Sequence, residues 1–263
     1  MLLPDKIAVL YGASGNVGRA VARAFAREGA TVFLTARNRS AVDALARALV
    51  SEGGKAEAAE VDALDEQAIE RHLDSVVGKA GRLDVSFNAT GIPQVGIQGV
   101  PLTELPVESF LLPISHYARS NFLTARAAAR RMAARRSGVI LMHTPEPARM
   151  GTPLVGGMGP AWAAMEALTR SLSAELAAQG IRSVCLRSTG IPETSTIDTV
   201  FDIHAKALGI ERKAFLQLVE SRTHRQRSTS LAELTNAAVF LASDRAGAMT
   251  GTTVNLTGGI VVD

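Results

Sequence analysis

The fold is decided by residues 6–18, KIAVLYGASGNVG. Its first half, from Lys6 to Tyr11, is a short apolar run without alternation, which suits a strand covered on both faces, as in a parallel sheet. Glycines at 12, 15 and 18 follow at once, and residues 17–27 then show apolar positions at helical spacing. In a strand–turn–helix unit each glycine has a task. Gly12 permits the tight turn, Gly15 lets backbone approach a phosphate, and Gly18 lets the helix pack against the strand. The N–H groups and the positive end of the helix then face a pyrophosphate. Gly12, Ser14, Gly15, Asn16, Val17 and Gly18 are therefore the expected phosphate site. Glycines also serve ordinary strand-to-helix turns; the strand before and the helix after favour the phosphate reading.

Outward from this unit the same rhythm continues. Strands are predicted at 31–36, 55–61, 83–88, 138–143, 181–187 and 253–257. Helices are predicted at 40–51 with Ser40 as cap, 65–79 stopped by Gly81, within 113–136, at 160–179 and at 231–243. Alternation of this kind predicts one α/β domain over residues 1–263: a doubly wound, seven-stranded parallel sheet in the order 3-2-1-4-5-6-7 with helices on both faces. Residues 191–227 break the rhythm after the sixth strand. An insertion there lies beyond the carboxyl ends of the strands, where open α/β sheets bind ligands, and is expected to cover a substrate. A surface ornament is the other reading.

At 263 residues, with 47% hydrophobic and 20% charged, the chain can bury a large core and is neither disordered nor fibrous. A single cysteine, Cys185, forms no internal bridge. No apolar run reaches membrane-span length, and Asp5 and Lys6 precede the first apolar segment in the wrong order for a signal peptide. A cytoplasmic location is expected. The formal charge is +3, but aromatics make up only 4% of the chain, which argues against nucleic acid as partner. Arg119, Arg126, Arg130 and Arg131 accordingly read as a solvated face or subunit contact. No metal-ligand spacing appears.

The end of the second strand tests the cofactor. An acid there holds a ribose 2′-hydroxyl, whereas arginine suits a 2′-phosphate. Arg37 stands there with Arg39 close by, and two guanidiniums pair well with a phosphate dianion. NADP(H) is expected over NAD(H), a solvated loop arginine being the alternative.

Together with further segments, these residues resemble the short-chain dehydrogenase/reductase family over nearly the whole chain. Asp62, with Ala63 beside it, matches the position whose carboxylate meets the adenine amine. Asn88-Ala89-Thr90-Gly91 stands where the family has Asn-Asn-Ala-Gly, and Asn121 matches the family's helical asparagine. Residues 167–176, ALTRSLSAEL, and Thr250-Gly251 resemble later signatures. The resemblance implies a Rossmann fold, bound dinucleotide, and a homodimer or homotetramer built through the helices at 113–136 and 160–179.

It also implies a serine, a tyrosine and a lysine, and this chain has none of them in place. Those positions hold Pro145, Met158 and Trp162. A thioether carries no transferable proton, an indole no charge, and proline no hydroxyl. Met158 and Trp162 share a helical stripe with Met165, Leu172 and Leu176, which reads as packing. Of the family set only Asn121 survives. His143, Thr144 and Glu146 cluster at the end of the fifth strand as substitutes, although residue 144 points away from 143 and 145 unless Pro145 and Pro147 bend the chain. His116 and Tyr117 rank lower. Two functions follow: an oxidoreductase binding NADP(H), with hydride transfer between carbonyl and alcohol through a non-standard set drawn from Asn121, His143 and Thr144; or a catalytically silent NADP(H)-binding sensor or scaffold.

Overall fold

In the computed structural model, which describes residues 1–262, strands and helices alternate. The elements are β1 (Ile7–Tyr11), α1 (Asn16–Arg27), β2 (Thr31–Ala36), α2 (Arg39–Ser51), β3 (Lys55–Glu60), α3 (Glu66–Ala80), β4 (Val85–Asn88) and α4 (Val107–Ala133). They continue as β5 (Gly138–Pro145), α5 (Met158–Leu176), β6 (Ile181–Ser188), α6 (Ser195–Leu208), α7 (Arg212–Ser221), α8 (Leu231–Ala242) and β7 (Thr252–Leu256). The seven strands form one sheet in the order β3-β2-β1-β4-β5-β6-β7. Neighbours run parallel throughout, with Leu10 opposite Leu34 on one side of β1 and Phe87 on the other. Fold and strand order are as expected.

Both faces of the sheet are covered, which explains why the strands lack alternation. In β1, Ala8 and Leu10 join the core formed with Val21 and Phe25 of α1, Leu49 of α2 and Leu234 of α8. Ile7, Val9 and Tyr11 point oppositely into the core with Ile69 of α3, Met132 of α4 and Met165 of α5. Edge strand β3 reads KAEAAE with its side chains half-buried or exposed, so its sequence signal is weak.

Local signals place most boundaries, with two corrections. Asn38, not Ser40, caps α2: its side chain accepts from the Ala41 N–H, and the Ser40 hydroxyl donates to the same oxygen at 2.7 Å. Both residue types cap well, and the extended backbone at Asn38 decides between them. Helix α4 begins at Val107, ahead of the 113–136 segment expected to contain it, and Pro113 lies inside the helix. A Cβ on Gly157, just before α5, would meet the Phe110 carbonyl and approach the Pro113 ring to 3.0 Å, so only glycine fits this crossing. Helix α8 carries a complete capping box of Ser230 and Glu233. Ser230→Ala is expected to cost about 1 kcal/mol and to lower the melting temperature by roughly 2–4 °C, read by thermal denaturation.

Three of the four α4 arginines pair with carboxylates of α3, while Arg119 stays exposed. Arg126 pairs with Glu66; Arg130 and Arg131 reach Glu70 at 3.1 and 2.6 Å, and Arg131 also holds Asp74 at 2.6 Å. These three fasten α4 to α3. Residues 191–227 fold into α6 and α7, joined through Phe201 edge-on to Phe215 at 5.3 Å. Among the described residues no helix is long and apolar enough to cross a membrane.

Candidate active site

A cleft of about 480 Å³ opens at the carboxyl ends of the strands, lined by the glycine turn, Arg37, Asp62, the segment 88–91, the residues after β5, and α6 and α7. Gly12 has φ +70°, and a Cβ there would lie 2.6 Å from the Ala89 carbonyl oxygen. A Cβ on Gly18 would stand 2.5 Å from the Gly12 oxygen, so Gly18 serves packing and does not itself line the cleft. Gly15 is uncrowded, its nearest neighbour being the Gly12 oxygen at 3.5 Å. It precedes α1 with no side chain bonded to the helix start. Uncapped N–H groups and an open glycine make a cradle that fits an anion. Ser14, Asn16 and Val17 line it too.

Arg37 lines the same cleft, whereas Arg39 does not. The Arg39 Nε binds both Asp43 oxygens at 2.9 and 3.0 Å. The expected pair of guanidiniums is therefore one, because the i,i+4 carboxylate takes the second. Asp62 and Ala63 lie alongside; one Asp62 oxygen accepts from the Leu64 N–H at 2.9 Å, leaving the other uncommitted to it. Asn88, Ala89, Thr90 and Gly91 line the cleft, but the Asn88 side chain is spent locally. It donates to Thr124 Oγ1 and accepts from the N–H and hydroxyl of Thr90, fixing the turn that abuts Gly12. His116 also reaches this end. Burial, and then the Arg37 charge, hold it below the usual histidine range, and its buried Nε2 has no partner.

At the other end the expected catalytic residues separate. His143 lines the cleft; Thr144 and Asn121 do not. Thr144 points the opposite way, as strand alternation requires, and donates to Glu166 at 3.0 Å. Asn121 is buried, its amide donating to the Tyr117 carbonyl at 2.9 Å. Pro145 and Trp162 line the cleft, while Met158 is wholly buried. The Ser188 hydroxyl donates to the Thr189 carbonyl and accepts from His143 Nε2, 2.9 Å away. Burial pushes His143 down to about 4, so it stays neutral at ordinary pH.

Glu146 follows β5 in a short helical turn flanked by Pro145 and Pro147, the bend that these prolines suggest. Its Oε2 is buried in the cleft wall without a partner. Burial pushes its carboxyl up to about 7; its own N–H, Arg222 and the Gly190 N–H oppose the shift only in part. The group therefore exchanges a proton near neutrality.

Tyr117 was underrated by its sequence position. With α4 starting at Val107 it sits well inside the helix, one turn before Asn121, and lines the cleft. That i,i+4 relation is the signal that could have found it. Its ring lies 6.4 Å from that of Trp162, and the Trp162 and Ile92 N–H groups lower the affinity of the phenol for its proton. Burial nevertheless pushes the phenol up to about 12. No group of three or more potential metal ligands occurs among the described residues.

The chain matches, over residues 12–261, a family model described as enoyl-(acyl carrier protein) reductase. It is 29% identical over 261 residues to an A-factor type gamma-butyrolactone 1′-reductase (1S-forming) of Streptomyces virginiae, covering 99% of this chain and 97% of that protein. It is 31% identical over 268 residues to an L-rhamnose 1-dehydrogenase (NAD(P)(+)) of Azotobacter vinelandii, covering 100% and 99%. A gluconate 5-dehydrogenase from Burkholderia cenocepacia, solved in complex with NADP and tartrate, superposes with a TM-score of 0.86 at 26% identity, covering 98% and 96%.

Proposed function

Because the chain belongs to the short-chain dehydrogenase/reductase family of oxidoreductases, we propose that it interconverts a carbonyl compound and its alcohol with NADP(H), using Glu146 where the family's tyrosine is missing. The observation that carries this reading is the Glu146 carboxyl, whose buried Oε2 has no partner, in the same cleft as the glycine cradle.

When bound, the reduced nicotinamide supplies hydride to the carbonyl carbon. Glu146 in its acid form gives its proton to the carbonyl oxygen, and as carboxylate takes it back in the reverse direction. Neutral His143, held by Ser188, supports the polar end of the substrate without adding charge. Trp162 and Tyr117 wall the cleft and keep water from the reacting atoms. With Trp162 uncharged, dinucleotide affinity rests on the cradle at Gly12, Gly15 and the start of α1, on Asp62 toward the adenine, and on Arg37 toward the 2′-phosphate.

Arg37→Asp is accordingly expected to weaken NADPH binding by about 10–100-fold, the scale of a charge-assisted bond, with NADH affinity unchanged. Calorimetric titration of both dinucleotides checks this; equal effects on both remove Arg37 from the phosphate site. Carbonyl and alcohol panels with NADPH and NADP⁺ test the function itself. A protein that binds NADPH yet turns over nothing in the panel overturns the oxidoreductase reading in favour of a sensor or scaffold. Exposed Leu111, Leu112 and Phe122 on α4 support a homodimer or homotetramer built through that helix. The buried free thiol of Cys185 suits a reducing, cytoplasmic setting.

A further inference from the structure

We propose that the substrate is a bulky, largely apolar ketone, or the corresponding alcohol, offering a single polar oxygen, and not a polyhydroxylated sugar or sugar acid. The inference rests on the oxidoreductase reading above and specifies its substrate class.

Beyond His143 and Glu146 the cleft becomes a chamber walled by Leu154 and Val155 after β5, Val200 and Phe201 of α6, and Phe215 and Leu218 of α7. Three of the polar side chains that share this wall are committed to one another, while Thr196 and Arg222, which also line the cleft, are exposed. His204 Nε2 donates to Gln98 Oε1 at 2.9 Å, Gln98 donates to Gln94 Oε1 at 2.6 Å, and Gln94 donates to the Ile92 carbonyl at 2.6 Å. The chain of bonds ends on backbone and is made within the wall. Among the described residues, the buried side-chain oxygens of the cleft left without a partner are Glu146 Oε2 and Thr152 Oγ1, both on the segment after β5. A polyol would bring several hydroxyls out of water against a largely apolar wall that replaces few of their hydrogen bonds. One carbonyl oxygen set against Glu146 leaves an apolar body to fill the rest. The wall itself is unusual in that Leu208 and Leu218 line it while remaining 46% and 47% exposed. Apolar surface left open to water at a cavity mouth is what an apolar ligand covers.

The reaction balances without a further reactant. The dihydronicotinamide gives hydride, two electrons with one proton, to the carbonyl carbon; Glu146 gives the second proton to the oxygen; a secondary alcohol and NADP⁺ result.

Trp162, the single tryptophan of the chain, lines the cleft and reports occupancy independently of turnover. Its fluorescence is followed while 2-hexanone, 2-octanone or D-fructose is titrated into protein saturated with NADP⁺. NADPH oxidation is measured with the same ketones. Expected is a saturable change with the alkanones, the half-saturation falling roughly tenfold for two added methylenes, no saturable change with fructose, and a kcat/KM higher for octanone by about 100-fold or more. Leu218→Asn, at the exposed rim, should weaken octanone several-fold while NADPH titrates as in the wild type, showing that the fold is intact. Saturable binding or faster turnover of fructose overturns the substrate class and leaves the oxidoreductase reading standing. Saturable octanone binding without turnover supports the chamber and overturns the oxidoreductase reading. No saturable change with any of the three overturns the substrate class.

Discussion

Glu146→Gln should reduce kcat by about 10²–10⁴-fold, the usual worth of a general acid or base, while NADPH affinity stays within a few-fold. The amide preserves size and burial but carries no exchangeable acid proton. The pH profile supplies the sharper test. Because burial holds the carboxyl at about 7, carbonyl reduction needs the protonated form and should slow as pH rises through about 7. Alcohol oxidation needs the carboxylate and should quicken over the same range. Both limbs should flatten in the glutamine variant.

Stability gives an independent sign. The folded-state value of Glu146 is raised, so its stabilising contribution is complete below the ordinary value of 4.5 and is lost as pH rises through about 7. His143 behaves oppositely: its value is lowered, so its contribution is complete above about 6.5 and is lost as pH falls toward 4. Removing the Glu146 charge should therefore raise the melting temperature more at pH 8 than at pH 5. Tyr117→Phe is the decisive comparison. A phenol held up at about 12 is a poor partner for proton exchange at neutral pH. If Tyr117→Phe abolishes turnover and Glu146→Gln leaves it intact, the phenol is the acid and the assignment made here is wrong.

The largest expected loss of stability lies away from the cleft. Glu166→Ala should cost about 3–5 kcal/mol, as removal of one partner from a buried ion pair does. Glu166 on α5 receives Arg187 Nε at 2.8 Å and Nη2 at 2.6 Å, with both side chains only 5% exposed, and also accepts from Thr144. The pair ties α5 to β6, and truncation leaves the guanidinium without that carboxylate in a buried setting. Urea unfolding measures the effect. The double substitution Glu166→Leu with Arg187→Met should recover much of it, since an apolar pair of similar volume avoids the desolvation that the ions pay. A loss below about 1 kcal/mol for the alanine variant means that neighbouring packing, not the ion pair, joins these elements.

Much of the molecule is legible in one dimension. Continuous apolar runs such as 7–11 declare strands covered on both faces, and glycines at 12, 15 and 18 declare a cradle whose two crowded positions admit no Cβ. These signals are local: they depend on period, on turn geometry and on a few residues of spacing. The same locality explains the errors. Ser40 and Asn38 are equivalent caps until the backbone chooses, and the turns of α4 before Pro113 carry no signal that sets them apart from loop.

The site depended on partners distant in the chain. Arg39 was withdrawn from the cleft by Asp43 and Thr144 by Glu166, while Tyr117 and Trp162, from different helices, meet across it. Glu146 has an unremarkable sequence context, and its proton affinity comes from the apolar walls that enclose it. By itself, then, the sequence determined the fold class, the strand order and the glycine turn that opens the first helix. Only the tertiary structure decided which surviving polar groups meet in the cleft and which are spent elsewhere. The reason is that periodicity is carried by adjacent residues, whereas burial, desolvation and hydrogen-bond choice are set by atoms from every segment that packs around a group.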